Sequence, residues 1–312
     1  MLTKLTLVPT GESASPIPLF ADFTWGAGGS TSDLTLDLCK KAKTEYNTNP
    51  NMHITCTNVD RNTIDEALTT CKEAGITNIL ALRGDPPVGQ EVWTATEGGF
   101  TCARDLVKHI RNTHGDFFHI TVAGYPEGHP NKMSLVTDGY DSLSEAEKGR
   151  CSFEIDEQGN EKIYVCKDAD YQLEMEYLQS KIEAGADCII TQMFFDCKVF
   201  DTFVANCRAA GIKIPIIPGI MCVSNYGGFK RMTATCKTRV TKELLARVEA
   251  AKAADEDGGK GETFKKFGVQ LGSEMSKHLI ASKVDGLHYY TLNSSVATLE
   301  ILNAVGLSRS KA

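Results

Sequence analysis

The sequence has no Cys-x-x-Cys pair among its eleven cysteines, no surplus of positive charge and no apolar run near the roughly 18 residues a membrane span needs. Each absence excludes something. Without paired cysteine spacings a zinc site is not expected, and no other metal site is indicated. An odd number of cysteines spread evenly along the chain instead points to reduced, mostly buried thiols and a cytoplasmic protein. Thirty-three Lys and Arg against 40 Asp and Glu leave a net charge of −7, which argues against nucleic acid as a partner. The opening Met1–Ser13 lacks the apolar stretch of a secretory signal. Repeats and low-complexity tracts are absent. Residues 26–30 (GAGGS) fail the dinucleotide fingerprint, and the GGKG at 258–261 lacks Walker spacing. No pair of carboxylates stands out as the acid and base of a glycosidase.

What is present is alternation. Seven short β-prone runs, at 18–25, 53–58, 78–84, 119–126, 187–195, 215–221 and 286–293, are nearly continuous apolar stretches, as in parallel strands covered on both faces. Helical stripes follow them at 32–46, 62–74, 100–113, 172–185, 199–210, 226–237, 241–253 and 262–283. The pattern predicts a single α/β domain, a TIM-type (β/α)8 barrel over residues 1–312. Seven strands are one short of closure. Only 2–8 (LTKLTLV) remains, alternating weakly and followed by no helix pattern within an irregular 1–17. Either this segment closes the barrel, or the first strand/helix unit is missing or degenerate. The second is the preferred expectation, and it would leave two open edges prone to self-association into a homo-oligomer. An insertion at 131–171 interrupts the rhythm, with a β-hairpin signal around 157–160 and the position of a lid or contact surface.

In such a barrel the site forms at the carboxyl ends of the strands. These ends deliver Thr24 and Trp25, His53, Arg83, Gly84 and Asp85, Tyr125 and His129, Gln192, Tyr226 and Tyr290. Bland alternatives stand beside each: Thr24-Trp25 as a core edge, His53 as a structural histidine, Arg83 and Asp85 as a surface ion pair. Gln192, in an otherwise apolar strand, is either bonded to nearby backbone or placed to recognise an amide-like edge such as a pterin or nicotinamide. Phe194 and Phe195 read as core or pocket wall.

DFTWGAGG (22–29), HITCTNVDR (53–61), NILALRGDPP (78–87), VAGYPEGHP (122–130), AGADCIITQMFFD (184–196), IPIIPGIMCVSNY (214–226) and GLHYYTLN (286–293), in this order, resemble the catalytic domain of the methylenetetrahydrofolate reductases. The resemblance implies an FAD-containing barrel that reduces 5,10-methylenetetrahydrofolate to 5-methyltetrahydrofolate with NADH or NADPH, in ping-pong fashion, in the one-carbon metabolism that feeds methionine synthesis. By motif it places the flavin against Thr24, Trp25, His53, Arg83, Gly84, Asp85, Ala103, Tyr125, His129 and Lys181. Glu174 stands where the family has an aspartate. Gln192 would meet folate and nicotinamide in turn, Tyr226 would stack on substrate, and Tyr290 would line the substrate side. Asp85 would be the carboxylate beside the ring, favouring hydride donation and a cationic substrate. Three departures accompany the match. The family's opening Phe-Glu-Phe-Phe-Pro-Pro, whose glutamate is the general acid, has no counterpart, and Glu12 does not replace it. Glu174 is longer than the family's aspartate. Ser294 stands where many members have arginine. A non-catalytic or impaired flavin- or folate-binding paralogue is the alternative. No C-terminal regulatory domain is expected before the chain ends at Ala312.

Overall fold

The computed structural model describes residues 4–7, 18–25, 32–86, 93–155 and 158–307. Its strands are β1 (Lys4–Leu7), β2 (Phe20–Phe23), β3 (Pro50–Thr55), β4 (Asn78–Leu82), β5 (His119–Gly124), β6 (Met133–Leu135), β7 (Ser152–Ile155), β8 (Glu161–Cys166), β9 (Cys188–Met193), β10 (Ile216–Met221) and β11 (Leu287–Tyr290). The helices are α1 (Ser32–Tyr46), α2 (Arg61–Glu73), α3 (Ala103–His114), α4 (Glu145–Arg150), α5 (Asp168–Glu183), α6 (Cys197–Ala209), α7 (Tyr226–Cys236), α8 (Lys242–Ala253), α9 (Glu262–Ala281) and α10 (Val296–Ala304).

All seven expected strands are present and parallel, in the order β2-β3-β4-β5-β9-β10-β11. Their apolar continuity has the expected cause: all six residues of β3 and all six of β10 are buried, with helices outside and a filled interior within. The open edges do not occur. β1 pairs with β2 (Lys4 opposite Asp22) and with β11 (Leu7 opposite Leu287), antiparallel to both, and the barrel is closed. Antiparallel pairing needs no crossover helix, so a four-residue strand can occupy the closing position without a regular β/α unit behind it. The self-association expected from bare edges therefore loses its structural basis.

Helix boundaries follow the stripes within a few residues, except that α5 begins at Asp168 instead of 172. The sequence pattern passed over α10, which packs mainly on α9. The insertion is more than a hairpin. β6, β8 and β7 form a three-stranded antiparallel sheet, and α4 carries a capping box between Ser144 and Glu147. Glu157, in the expected turn, lies outside the described residues, as do Glu12, the GAGGS segment and Pro87.

Cys39, Cys56, Cys71 and Cys207 are among the fully buried positions, and all eleven cysteines are free thiols. Phe194 stacks on Phe200 at 5.2 Å and Phe195 meets Phe229 at 5.1 Å, so both rings belong to the core. No described helix is long and apolar enough to cross a membrane. Among the described residues no group of three or more His, Cys, Asp or Glu is arranged to hold a metal ion.

Candidate active site

Two contiguous cavities, of about 250 and 230 Å³, open at the carboxyl ends of the parallel strands. Leu82, Arg83, Ala123, Tyr125 and His129 line both and form the shared wall. The first also contains Thr24, Trp25, His53, Gly84, Asp85, Gln192 and Tyr290. The second contains Ala103, Glu174 and Lys181. The structure thus brings together every sequence-predicted site residue but Tyr226. That residue lines neither cavity: its hydroxyl donates to Glu249 Oε1 at 2.7 Å, and its ring lies edge-on to Phe264 beneath Lys252.

The first cavity is polar at its base and open at its rim. His53 Nε2 lies 2.9 Å from the buried Asp22 carboxylate, which also accepts from Asn51 Nδ2 at 2.8 Å. His53 is therefore both a structurally bonded histidine and a cavity wall. Tyr290 donates its hydroxyl to Thr191 O at 2.7 Å, and its ring occupies the space beside Gly219, where a Cβ would lie 2.4 Å from Tyr290 Cε2. Burial holds the Tyr290 and Tyr125 hydroxyls well above the ordinary phenol range, so both remain neutral donors. Gln192 is bonded to nearby backbone and also lines the cavity. Its Oε1 accepts from Met193 N at 2.9 Å, which orients the amide and directs its Nε2 donors away from that bond while the residue lines the cavity. Asp85 is solvent-exposed at the rim, so a bound ligand must cover the carboxylate before the low-dielectric effect expected of it can operate.

The β4 exit is built around Gly84. Its φ is +89°, and a Cβ there would lie 2.3 Å from both Thr55 Oγ1 and Thr57 Oγ1. Those hydroxyls hold the turn: Thr57 Oγ1 donates to Asp85 O at 3.0 Å and to Arg83 O at 3.2 Å. Trp93 Nε1 donates to the same Thr57 oxygen at 2.7 Å, and the Arg83 guanidinium lies 5.4 Å from the Trp93 ring centroid. Arg83 is thus directed by an aromatic face, and among the described residues no Arg83–Asp85 ion pair forms. Gly84→Ala is expected to lower stability by about 2–4 kcal/mol, through strain at positive φ plus overpacking, read as a fall in the thermal midpoint.

The second cavity is cationic. Arg83, Lys132 and Lys181 line it with one carboxylate, Glu174, and Lys132 also meets Asp170 Oδ1 at 3.4 Å from outside the lining. Lys181 is buried, its Nζ donating to Ala123 O at 2.6 Å, and burial pulls its pKa down to about 8 despite nearby Glu174. Burial raises the Glu174 carboxyl, against the pull of Lys181, Lys132 and Arg83. His129 is pushed down to about 4 by burial and by Arg83, Lys181 and Lys132. Its Nδ1 accepts from Asn131 N at 3.1 Å, so the neutral ring carries its proton on Nε2. The N-terminus of α3 completes the wall through Thr101, Cys102 and Ala103, and Cys102 supplies no side-chain cap. The Ala103 and Arg104 amides at this helix start face the Tyr177 hydroxyl, and with a buried ammonium and an arginine they make a wall whose charge suits a phosphate-type anion. The strand-end pattern also offers Thr55, whereas sequence reasoning missed Lys132, Trp93 and Thr57. Lys132 follows His129-Pro130-Asn131, whose 3-10 turn turns it back to the cavity; Trp93 carried no local signal.

The family model described as "Methylenetetrahydrofolate reductase" matches residues 10–306. A protein of Oryza sativa named "Probable methylenetetrahydrofolate reductase (NADH)" is 45% identical over 93% of this chain and 43% of its own length. "Methylenetetrahydrofolate reductase (NADH) 1" of Arabidopsis thaliana is 44% identical over the same shares. "Methylenetetrahydrofolate reductase 2" of Schizosaccharomyces pombe is 38% identical over 98% of this chain and 43% of its own length. The chain therefore spans less than half the length of these relatives. The match runs through every parallel strand and both cavities, and the chain belongs to the methylenetetrahydrofolate reductase family.

Proposed function

We propose that this chain reduces 5,10-methylenetetrahydrofolate to 5-methyltetrahydrofolate with NADH or NADPH, using FAD held in the paired cavities. The observation that carries the reading is the division of labour between them: a cationic cavity with a helix start, joined through Tyr125 and His129 to one lined by Gln192, Tyr290 and Asp85. A dinucleotide needs both halves, an anion receptor and a slot for a ring. The donor set fits FAD. Lys181, Arg83 and the α3 amides would hold the diphosphate. Glu174 would accept from a sugar hydroxyl, while Thr24, Trp25, His53 and Gly84 would bound the rest. When bound, the flavin supplies the hydride relay between nicotinamide and folate.

The chain's own groups then orient and polarise. Neutral His129 donates through Nε2 without adding charge. Tyr125, as a phenol, can do the same. Gln192 presents its amide donors to a nicotinamide carboxamide or a pterin edge in turn, so one residue serves two substrates that alternate in one place. Asp85 places negative charge at the rim, attracting a cationic one-carbon unit once the ligand has excluded water. Substrates in this class are small anionic nucleotides and pterins, and a cytoplasmic setting suits them.

The reading is tested by incubating the purified chain with FAD, NADH or NADPH and 5,10-methylenetetrahydrofolate. Chromatographic appearance of 5-methyltetrahydrofolate is expected. A flavin-loaded chain that consumes no folate with either nucleotide would favour the non-catalytic binding alternative. A pH dependence also follows. Lys181, near pKa 8 in the free protein, would be driven back up by a bound diphosphate, so binding takes up a proton above pH 8. FAD affinity should hold below about pH 8 and fall as pH rises past it, as read by flavin fluorescence titration.

A further inference from the structure

Glu127 lies between Tyr125 and His129, which line both cavities, yet it lines neither. It is buried, at 6% exposure. Its Oε2 accepts from Arg239 N at 2.7 Å, while its Oε1, also buried, has no hydrogen-bond partner among the described residues. Two charged groups face it: Arg239 from the turn between α7 and α8, and Asp196 at the start of α6. Cys236, at the end of α7, is the remaining titratable neighbour. The arginine is already committed. Its Nε pairs with Asp196 Oδ2 at 3.1 Å, and its Nη1 donates to Lys148 O at 3.1 Å and Cys151 O at 2.6 Å, both in the insertion. Glu127 is thus a second acid beside one cation. Burial pushes its carboxyl up to about 8, and it keeps its proton at neutral pH. A buried carboxyl with one oxygen unpartnered is a cost that packing alone would not require.

The same segment touches the insertion a second time. Gly128, with φ +96°, lies so close to β8 that a Cβ would come within 2.5 Å of Cys166 Cβ.

We propose that Glu127 is a positioning residue acting through Arg239, fastening the Tyr125–His129 wall of the cavities to the arginine that also fastens the insertion. Docking of the insertion and orientation of the wall are then set together. The inference rests on the FAD reading only for what the wall orients. The hydrogen bond to the Arg239 amide can be made by a glutamine oxygen as well as by a carboxyl, whereas alanine leaves that amide without a partner.

The test compares the full chain with Glu127→Gln, Glu127→Ala and Arg239→Ala, reading hydrogen exchange over residues 125–132 and FAD binding by flavin fluorescence. Glu127→Ala should speed exchange in that segment and weaken FAD roughly tenfold, with Glu127→Gln restoring both to near the parent value. Arg239→Ala, which keeps the backbone amide but frees the insertion, should weaken FAD similarly. The parent's protection should fall as pH rises from the ordinary carboxylate range to about 8 and level off above it, and that of Glu127→Gln should stay level throughout. Parent-like exchange and affinity in Glu127→Ala would overturn the proposal, as would equal damage in Glu127→Gln. Should Glu127→Ala fail to fold, the glutamine pH profile and Arg239→Ala decide. If the parent itself binds no FAD, the cofactor reading fails, and the exchange data still decide the positioning claim.

Discussion

Asp85→Asn should fold, bind FAD and lose roughly 10²–10³-fold in folate turnover, the magnitude that follows removal of one preorganised charge or donor from a reacting centre. Asp85 is exposed at the rim of the first cavity, and its backbone carbonyl, not its carboxylate, accepts the Thr57 bond that holds the turn. The substitution therefore changes charge and leaves the turn intact. Two effects follow from the lost negative charge. A cationic one-carbon unit is no longer attracted, which slows the folate half-reaction. An anionic reduced ring is no longer repelled, so the flavin midpoint potential should rise, by about 30 mV for each 1.4 kcal/mol of repulsion removed. Stopped-flow absorbance separates the half-reactions and spectroelectrochemistry gives the potential. An Asp85→Asn variant with parental potential and turnover would remove the carboxylate from the mechanism.

Lys181→Met carries the other large effect, and its two consequences have opposite signs. Removing a buried charge from the proposed diphosphate site should cost about 2–5 kcal/mol in FAD binding, roughly 30-fold to several-thousand-fold in Kd. The free protein should become more stable. A lysine whose pKa falls from 10.5 to about 8 on folding carries a cost that is fully present below pH 8, shrinks as pH rises towards 10.5 and vanishes above it. Methionine, one atom shorter and unbranched, removes that cost while losing the Ala123 bond, for a net gain of about 1–3 kcal/mol at pH 7. Thermal melts of FAD-free protein at pH 7 and pH 10 measure this, and the gain should shrink at the higher pH. A stabilised protein with poor cofactor affinity would mark Lys181 as retained for binding at the expense of stability.

The strands and their ends were legible because parallel strands buried on both faces write themselves as unbroken apolar runs, and whatever polar residue ends such a run faces the mouth. Arg83, Gly84, Gln192 and Tyr290 could be found that way. Ala103, Glu174 and Lys181 could not, since they lie on helices and only the family resemblance pointed to them; the structure brings them to the second cavity. The closing strand was hidden for the opposite reason. Four residues of weak alternation carry no direction, and only the pairings with Asp22 and Leu287 reveal that β1 runs antiparallel. Trp93 orients Arg83 from ten positions further along the chain, and Glu127 depends on an amide 112 residues away. Neither contact has a local periodicity to read. Tyr226 follows β10 as the motif has it, and its contacts with Glu249 and Phe264, both distant in the chain, have no local pattern either.

The most direct test of the central claim is anaerobic reconstitution followed in the visible spectrum. Purified chain mixed with FAD and passed through a desalting column should emerge yellow, be bleached by NADH or NADPH, and regain its colour on addition of 5,10-methylenetetrahydrofolate. A folded protein that leaves the column colourless, or one whose colour no nicotinamide nucleotide discharges, would contradict it.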